Sequence, residues 1–140
     1  MRQHRYHLLV ADDDDALRET VCALCEPYFE VVAARDGGEA LEWARRLSFD
    51  VALCDMHMPA LTGLDVLEAF KQDHARKPGI LMTARCSPEI RDQARRIRVD
   101  SVLEKPFTRR QLLTTVASVV ECAFDDRQFG ETLLRDVRRC

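Results

Sequence analysis

Five short apolar runs alternate with five stretches of helical periodicity, and four of the runs end on polar residues that a buried strand would not choose. The runs cover residues 6–11, 30–34, 50–54, 79–82 and 101–103. Asp15 is placed to cap a first helix, in which Leu17, Val21, Leu24 and, one turn on, Tyr28 recur at helical spacing, with Pro27 marking the end. Asp36-Gly37-Gly38 reads as a turn before a helix over 39–47. A third helix starts near Leu64 and ends near His74. Ser87 and Pro88 open a fourth, with Ser as cap and Pro in the first turn. Thr108 caps a fifth that runs to about Cys122. Continuously apolar strands separated by amphipathic helices predict an α/β fold, a parallel sheet covered on both faces.

The chain has 140 residues, one domain's worth, and its 46% apolar and 32% charged content fits a folded chain rather than a disordered one. No apolar run approaches the roughly 20 residues of a membrane span. Residues 1–7 are polar and basic and carry no signal-like apolar stretch, so the default expectation is cytoplasmic, with no membrane role. A net charge of −3 gives no general reason to expect direct nucleic-acid binding. Of six cysteines, Cys22 and Cys25 form a C-x-x-C pair inside a helical pattern. With no second pair and no nearby His they read as packing, not as a zinc site. The domain is expected over residues 5–123. The extension over 124–140 reads as a short amphipathic helix or a linker, since Phe129, Leu133 and Val137 are spaced by four.

The polar strand ends are Asp12-Asp13, Asp55, Thr83 and Glu104-Lys105. In an open parallel sheet, ligands bind outside the carboxyl ends of the strands, where the strand order reverses. Residues roughly 90 positions apart can therefore meet there. Packed carboxylates repel, and a hard divalent cation such as Mg2+ removes the conflict. One Lys and one Thr hydroxyl add groups for phosphoryl oxygens, and a carboxylate can itself accept a phosphoryl group.

The segments "LLVADDDDALR", "DVALCDMHMPALTGLDVL", "ILMTAR" and "LEKPF" together resemble a response-regulator receiver domain of two-component signalling. The resemblance spans residues 6 to about 123. It implies a flavodoxin-like, doubly wound five-stranded sheet of order 2-1-3-4-5. It also implies a phosphoacceptor signalling domain rather than an enzyme. Asp55 resembles the phosphoacceptor, Asp13 the direct Mg2+ ligand and Asp12 its partner acting largely through water. The backbone carbonyl of His57 would complete the metal site. Thr83 resembles the switch hydroxyl, helped by the amide of Ala84, and Lys105 the lysine that pairs with the acyl phosphate. Pro106 would hold a cis turn. The implied phosphoryl donor is a sensor histidine kinase or a histidine phosphotransfer protein. His57 and Arg85 flank the pocket mouth and would affect the lifetime of the phosphoryl group.

The chain departs from the family in two places. Val102 stands where most receivers carry Tyr or Phe, and Arg98-Val99 replaces the common Gly-Ala. Val102 cannot report by ring rotation, so output is expected through the loop after Thr83 or through a homodimer on the face between the fourth and fifth helices. Arg91, Arg95, Arg96, Arg98, Arg109 and Arg110 make that face basic. One alternative is a pseudo-receiver that binds partners without phosphorylation. Another is a haloacid-dehalogenase-type phosphatase using Asp12, Asp14, Thr83, Lys105 and Asp125-Asp126, which leaves Asp55 without a role.

Overall fold

The computed structural model describes residues 5–73 and 76–139. Five strands, β1 (His7–Ala11), β2 (Glu30–Ala34), β3 (Val51–Asp55), β4 (Gly79–Thr83) and β5 (Ser101–Glu104), pair in parallel in the order β2-β1-β3-β4-β5. The helices are α1 (Asp15–Cys25), α2 (Gly37–Arg46), α3 (Gly63–Asp73), α4 (Pro88–Arg96), α5 (Arg109–Phe124) and α6 (Arg127–Arg138). The predicted end of the third helix near His74, and residues 1–4 of the polar start, lie outside the described residues.

Strand alternation sorts the core into two layers. Leu8, Val10, Val51, Leu53, Ile80 and Met82 face α1 and α5, together with Val21, Cys25, Leu112, Leu113 and Val116. Leu9, Ala11, Ala52, Cys54 and Leu81 face the other way, against Ala40, Val66, Leu67, Phe70 and Ala94. This double burial is why the strands read as unbroken apolar runs. β5 is an edge strand, and Ser101 and Val102 on it are only partly buried.

Two local expectations are corrected. Asp14, not Asp15, caps α1, and its carboxylate accepts the N–H of Leu17. Gly37 and Gly38 do not form a turn but open α2. Asp36 caps that helix by accepting the N–H of Glu39, and Glu39 reaches back to the N–H of Arg35. These bonds satisfy orphan donors and outweigh the low helix propensity of two glycines in the first turn.

α6 packs along α5 and against the residues that precede β1 and β2. Tyr6 stacks on Phe124 and meets Phe129 edge-on, and Phe129 also meets Phe29. The Tyr6 hydroxyl donates to Asp126 and the Tyr28 hydroxyl to Asp136. Leu133 and Val137 are buried in the core layer shared with α1 and α5. Gly130 lies against the Glu121 side chain of α5, whose carboxylate a Cβ there would displace.

Candidate functional site

The strand order reverses between β1 and β3, and the acidic residues gather where those two strands end. Asp12 and Asp13 follow β1, and Asp55 is the last residue of β3. One carboxylate oxygen from each of the three lies within 4.8 Å of the others, the one such cluster among the described residues. Asp12 and Asp55 are buried and Asp13 is exposed. Lys105, just past β5, donates to Oδ1 of Asp55 at 2.7 Å and to Oδ2 of Asp12 at 3.2 Å. The Lys105-Pro106 peptide bond is cis.

One ammonium does not balance three carboxylates. Burial pushes the Asp55 carboxyl above its usual range, and the charges of Asp12 and Asp13 add to this against the opposing pull of Lys105. Burial works against the Lys105 charge, but its bonds to Asp55 and Asp12 outweigh that and raise its pKa. The pocket thus has an unmet demand for positive charge at a set of hard oxygen donors, which fits a divalent cation such as Mg2+.

Thr83 ends β4, wholly buried. Its hydroxyl donates to the Arg85 carbonyl at 3.1 Å and accepts the Arg85 N–H at 3.3 Å. The backbone joins the strand ends as well. Met56 N–H donates to the Met82 carbonyl and Lys105 N–H to the Thr83 carbonyl. Ala84, Arg85 and His57 are exposed on the loops that follow β4 and β3. Val102 packs in the layer that holds Ile90, Ile97 and Val99. Cys54, beside Asp55, faces the core, and burial pushes its thiol up to about 12.

A profile of the response regulator receiver domain family matches residues 8–117. The chain belongs to this family. It is 35% identical over 114 residues to the transcriptional regulatory protein CpxR of Escherichia coli K12, covering 81% of this chain and 48% of CpxR. It is 30% identical over 115 residues to the response regulator RR06 of Streptococcus pneumoniae, covering 81% and 52%. The chain spans about half the length of these curated relatives. Among solved structures, the chemotaxis protein CheY4 of Vibrio cholerae matches with a TM-score of 0.79 and 30% identity over 83% of this chain and 99% of that one. The receiver fold and its strand order are therefore those the sequence predicted. The family is a signalling domain of two-component systems, and such domains partner with histidine kinases.

Asp125 and Asp126, the acid pair a phosphatase reading needs, lie in the turn between α5 and α6. Asp126 is bonded there to Tyr6 and Phe129. Tyr6 precedes β1, so the pair sits at the end of the sheet opposite the acidic cluster. Among the described residues no helix is long and apolar enough to cross a membrane. One residue that the sequence did not single out touches the cluster's backbone: Arg18 donates to the carbonyl of Asp12 at 2.9 Å.

Proposed function

We propose that this receiver takes a phosphoryl group on Asp55, from a histidine kinase or a histidine phosphotransfer protein. Asp12, Asp13, Asp55 and the backbone carbonyl of His57 would hold Mg2+. The observation that carries the reading is the meeting of three carboxylates within 4.8 Å beside a single lysine. When bound, Mg2+ supplies positive charge that quiets the carboxylates and the phosphoryl oxygens.

Lys105 occupies Oδ1 of Asp55, which leaves Oδ2 as the attacking oxygen. The Oδ2–P bond forms as the P–N bond of the phosphohistidine donor breaks, and the electron pair stays with the imidazole. Lys105 stays beside the new acyl phosphate and offsets its charge. The Thr83 hydroxyl exchanges its backbone partners at Arg85 for a phosphoryl oxygen, and the Ala84 amide supplies a second donor. Loss of the Thr83–Arg85 bonds frees the loop that leads into α4. Output then passes through that loop to α4 and Val102, switching a partner or a homodimer on the face between α4 and α5. His57 and Arg85 at the mouth tune the lifetime of the phosphoryl group, and the domain acts in the cytoplasm.

Beryllofluoride, a mimic of the phosphoryl group, tests this reading by amide NMR. With Mg2+ it should shift the Asp55, Ala84 and Lys105 signals in the wild type and leave Asp55→Asn unchanged. No adduct in the wild type would favour a pseudo-receiver.

A further inference from the structure

Arg18 lies on α1, one turn after the acidic run, and none of the roles above uses it. Its side chain is only 12% exposed. Nη1 donates to the carbonyl oxygen of Asp12 at 2.9 Å, and Nη2 donates to Oδ1 of Asp15 at 2.7 Å. The N–H of Asp12 is also committed, to the carbonyl of Ala34 on β2 at 3.1 Å. The Asp12 carboxylate accepts the N–H of Asp14 at 2.9 Å. Asp12 is thus tied to β2 on one side and to α1 on the other, and the peptide leading to Asp13 is held between them.

A pair with Asp15 alone would not require the Arg18 side chain to lie against the Asp12 backbone, and immobilising an arginine costs about 2 kcal/mol of rotamer entropy. The charge-assisted bond to a backbone carbonyl offsets that cost. The carbonyl in question joins two of the three clustered carboxylate residues.

We propose that Arg18 is a positioning residue for divalent-cation binding. Braced by Asp15, its guanidinium fixes the Asp12–Asp13 peptide so that the Asp12, Asp13 and Asp55 carboxylates stay within reach of one ion. This rests on the reading of the acidic cluster as a metal site. Groups that orient metal ligands from behind typically change metal affinity about 10- to 100-fold. Simple electrostatics predicts the opposite sign, since removing a cation beside an acidic cluster should tighten Mg2+ binding. A purely structural Arg18 would lower the unfolding temperature and leave the affinity of the folded protein unchanged.

Calorimetric titration of Mg2+ into the wild type, Arg18→Ala and Arg18→Lys, well below their unfolding temperatures, separates these cases. Arg18→Ala should bind about ten-fold more weakly. Arg18→Lys, which keeps one donor for the Asp12 carbonyl, should recover part of that loss. Equal or tighter binding by Arg18→Ala overturns the proposal. If Arg18→Ala does not fold, Arg18→Lys decides, because it keeps the charge but not the fork that spans the Asp12 carbonyl and Asp15. Weaker binding then supports the proposal and unchanged binding overturns it. A wild type that takes up no Mg2+ removes the metal reading itself, an outcome distinct from variants that match a binding wild type.

Discussion

Gly63 lies directly against the backbone carbonyl of Asp55: a Cβ at Gly63 would sit 2.4 Å from that oxygen and 2.8 Å from its carbon. The Gly63 N–H donates to the Met56 carbonyl at 3.1 Å, which draws the start of α3 onto the end of β3. The glycine of the M-P-x-x-x-G segment is thus fixed by steric contact with the site. Its φ is not in the left-handed region. Gly63→Ala should push on the Asp55 backbone and cost about 1–3 kcal/mol, the usual range for forced overpacking. Urea unfolding measures the loss, and Mg2+ affinity should fall with it.

Three non-glycine residues among those described occupy left-handed backbone that glycine would adopt without strain: Ala60 at φ 68°, Arg98 at φ 62° and Asp125 at φ 50°. Such a residue costs roughly 1–2 kcal/mol, and a glycine gives back part of that through unfolded-chain entropy. Ala60→Gly should therefore raise stability by about 0.5–1 kcal/mol. Arg98→Gly should act in the same direction. Both gains are read from urea midpoints, and unchanged midpoints would contradict the strain argument.

At the other end of the sheet, Lys71 is buried and donates to Asp100 at 2.6 Å. The same Asp100 oxygen accepts the Gly79 N–H at 2.9 Å. The pair ties α3 to the starts of β4 and β5. Asp100 keeps some contact with solvent, so removing its partner costs less than in a closed interior. Lys71→Met should lose about 1–2 kcal/mol. Phosphoryl uptake should be unchanged, because the pair lies away from the strand ends that carry the acids.

The raised pKa of Asp55 has a definite sign for stability. A carboxyl that is harder to ionise in the folded state stabilises the fold while protonated. That contribution is complete below the unfolded pKa and is lost as pH rises through the raised folded value. In chelator at neutral pH, Asp55→Asn should therefore unfold at higher urea than the wild type. The gap should shrink toward acid pH, and saturating Mg2+ should narrow it at neutral pH. A wild type as stable as the variant at neutral pH would contradict the charge-conflict account.

The strand ends were legible because their chemistry is local: a carboxylate, a hydroxyl or a lysine closing an apolar run stands out at once. What the sequence could not resolve was register among similar residues. Four consecutive aspartates offer several caps, and Asp14 takes the role with extended backbone and its carboxylate on the Leu17 N–H, while Asp15 is already helical and its carboxylate is held by Arg18. Glycines usually mark turns, yet the Asp36 cap draws Gly37 and Gly38 into α2. Arg18 escaped notice because its partner is a backbone carbonyl, which leaves no mark in a sequence. Lys71 and Asp100 are 29 positions apart, and nothing near either one names the other.

Everything proposed for the site depends on Asp55 being the group that is phosphorylated. Intact-mass and peptide-level mass spectrometry after treatment with acetyl phosphate and Mg2+ tests this directly. The wild type should gain one phosphoryl group on the peptide that carries Asp55, and the gain should vanish with Asp55→Asn or with chelator. A stable phosphoryl group on Asp55→Asn, or on Asp12 in the wild type, would contradict the account.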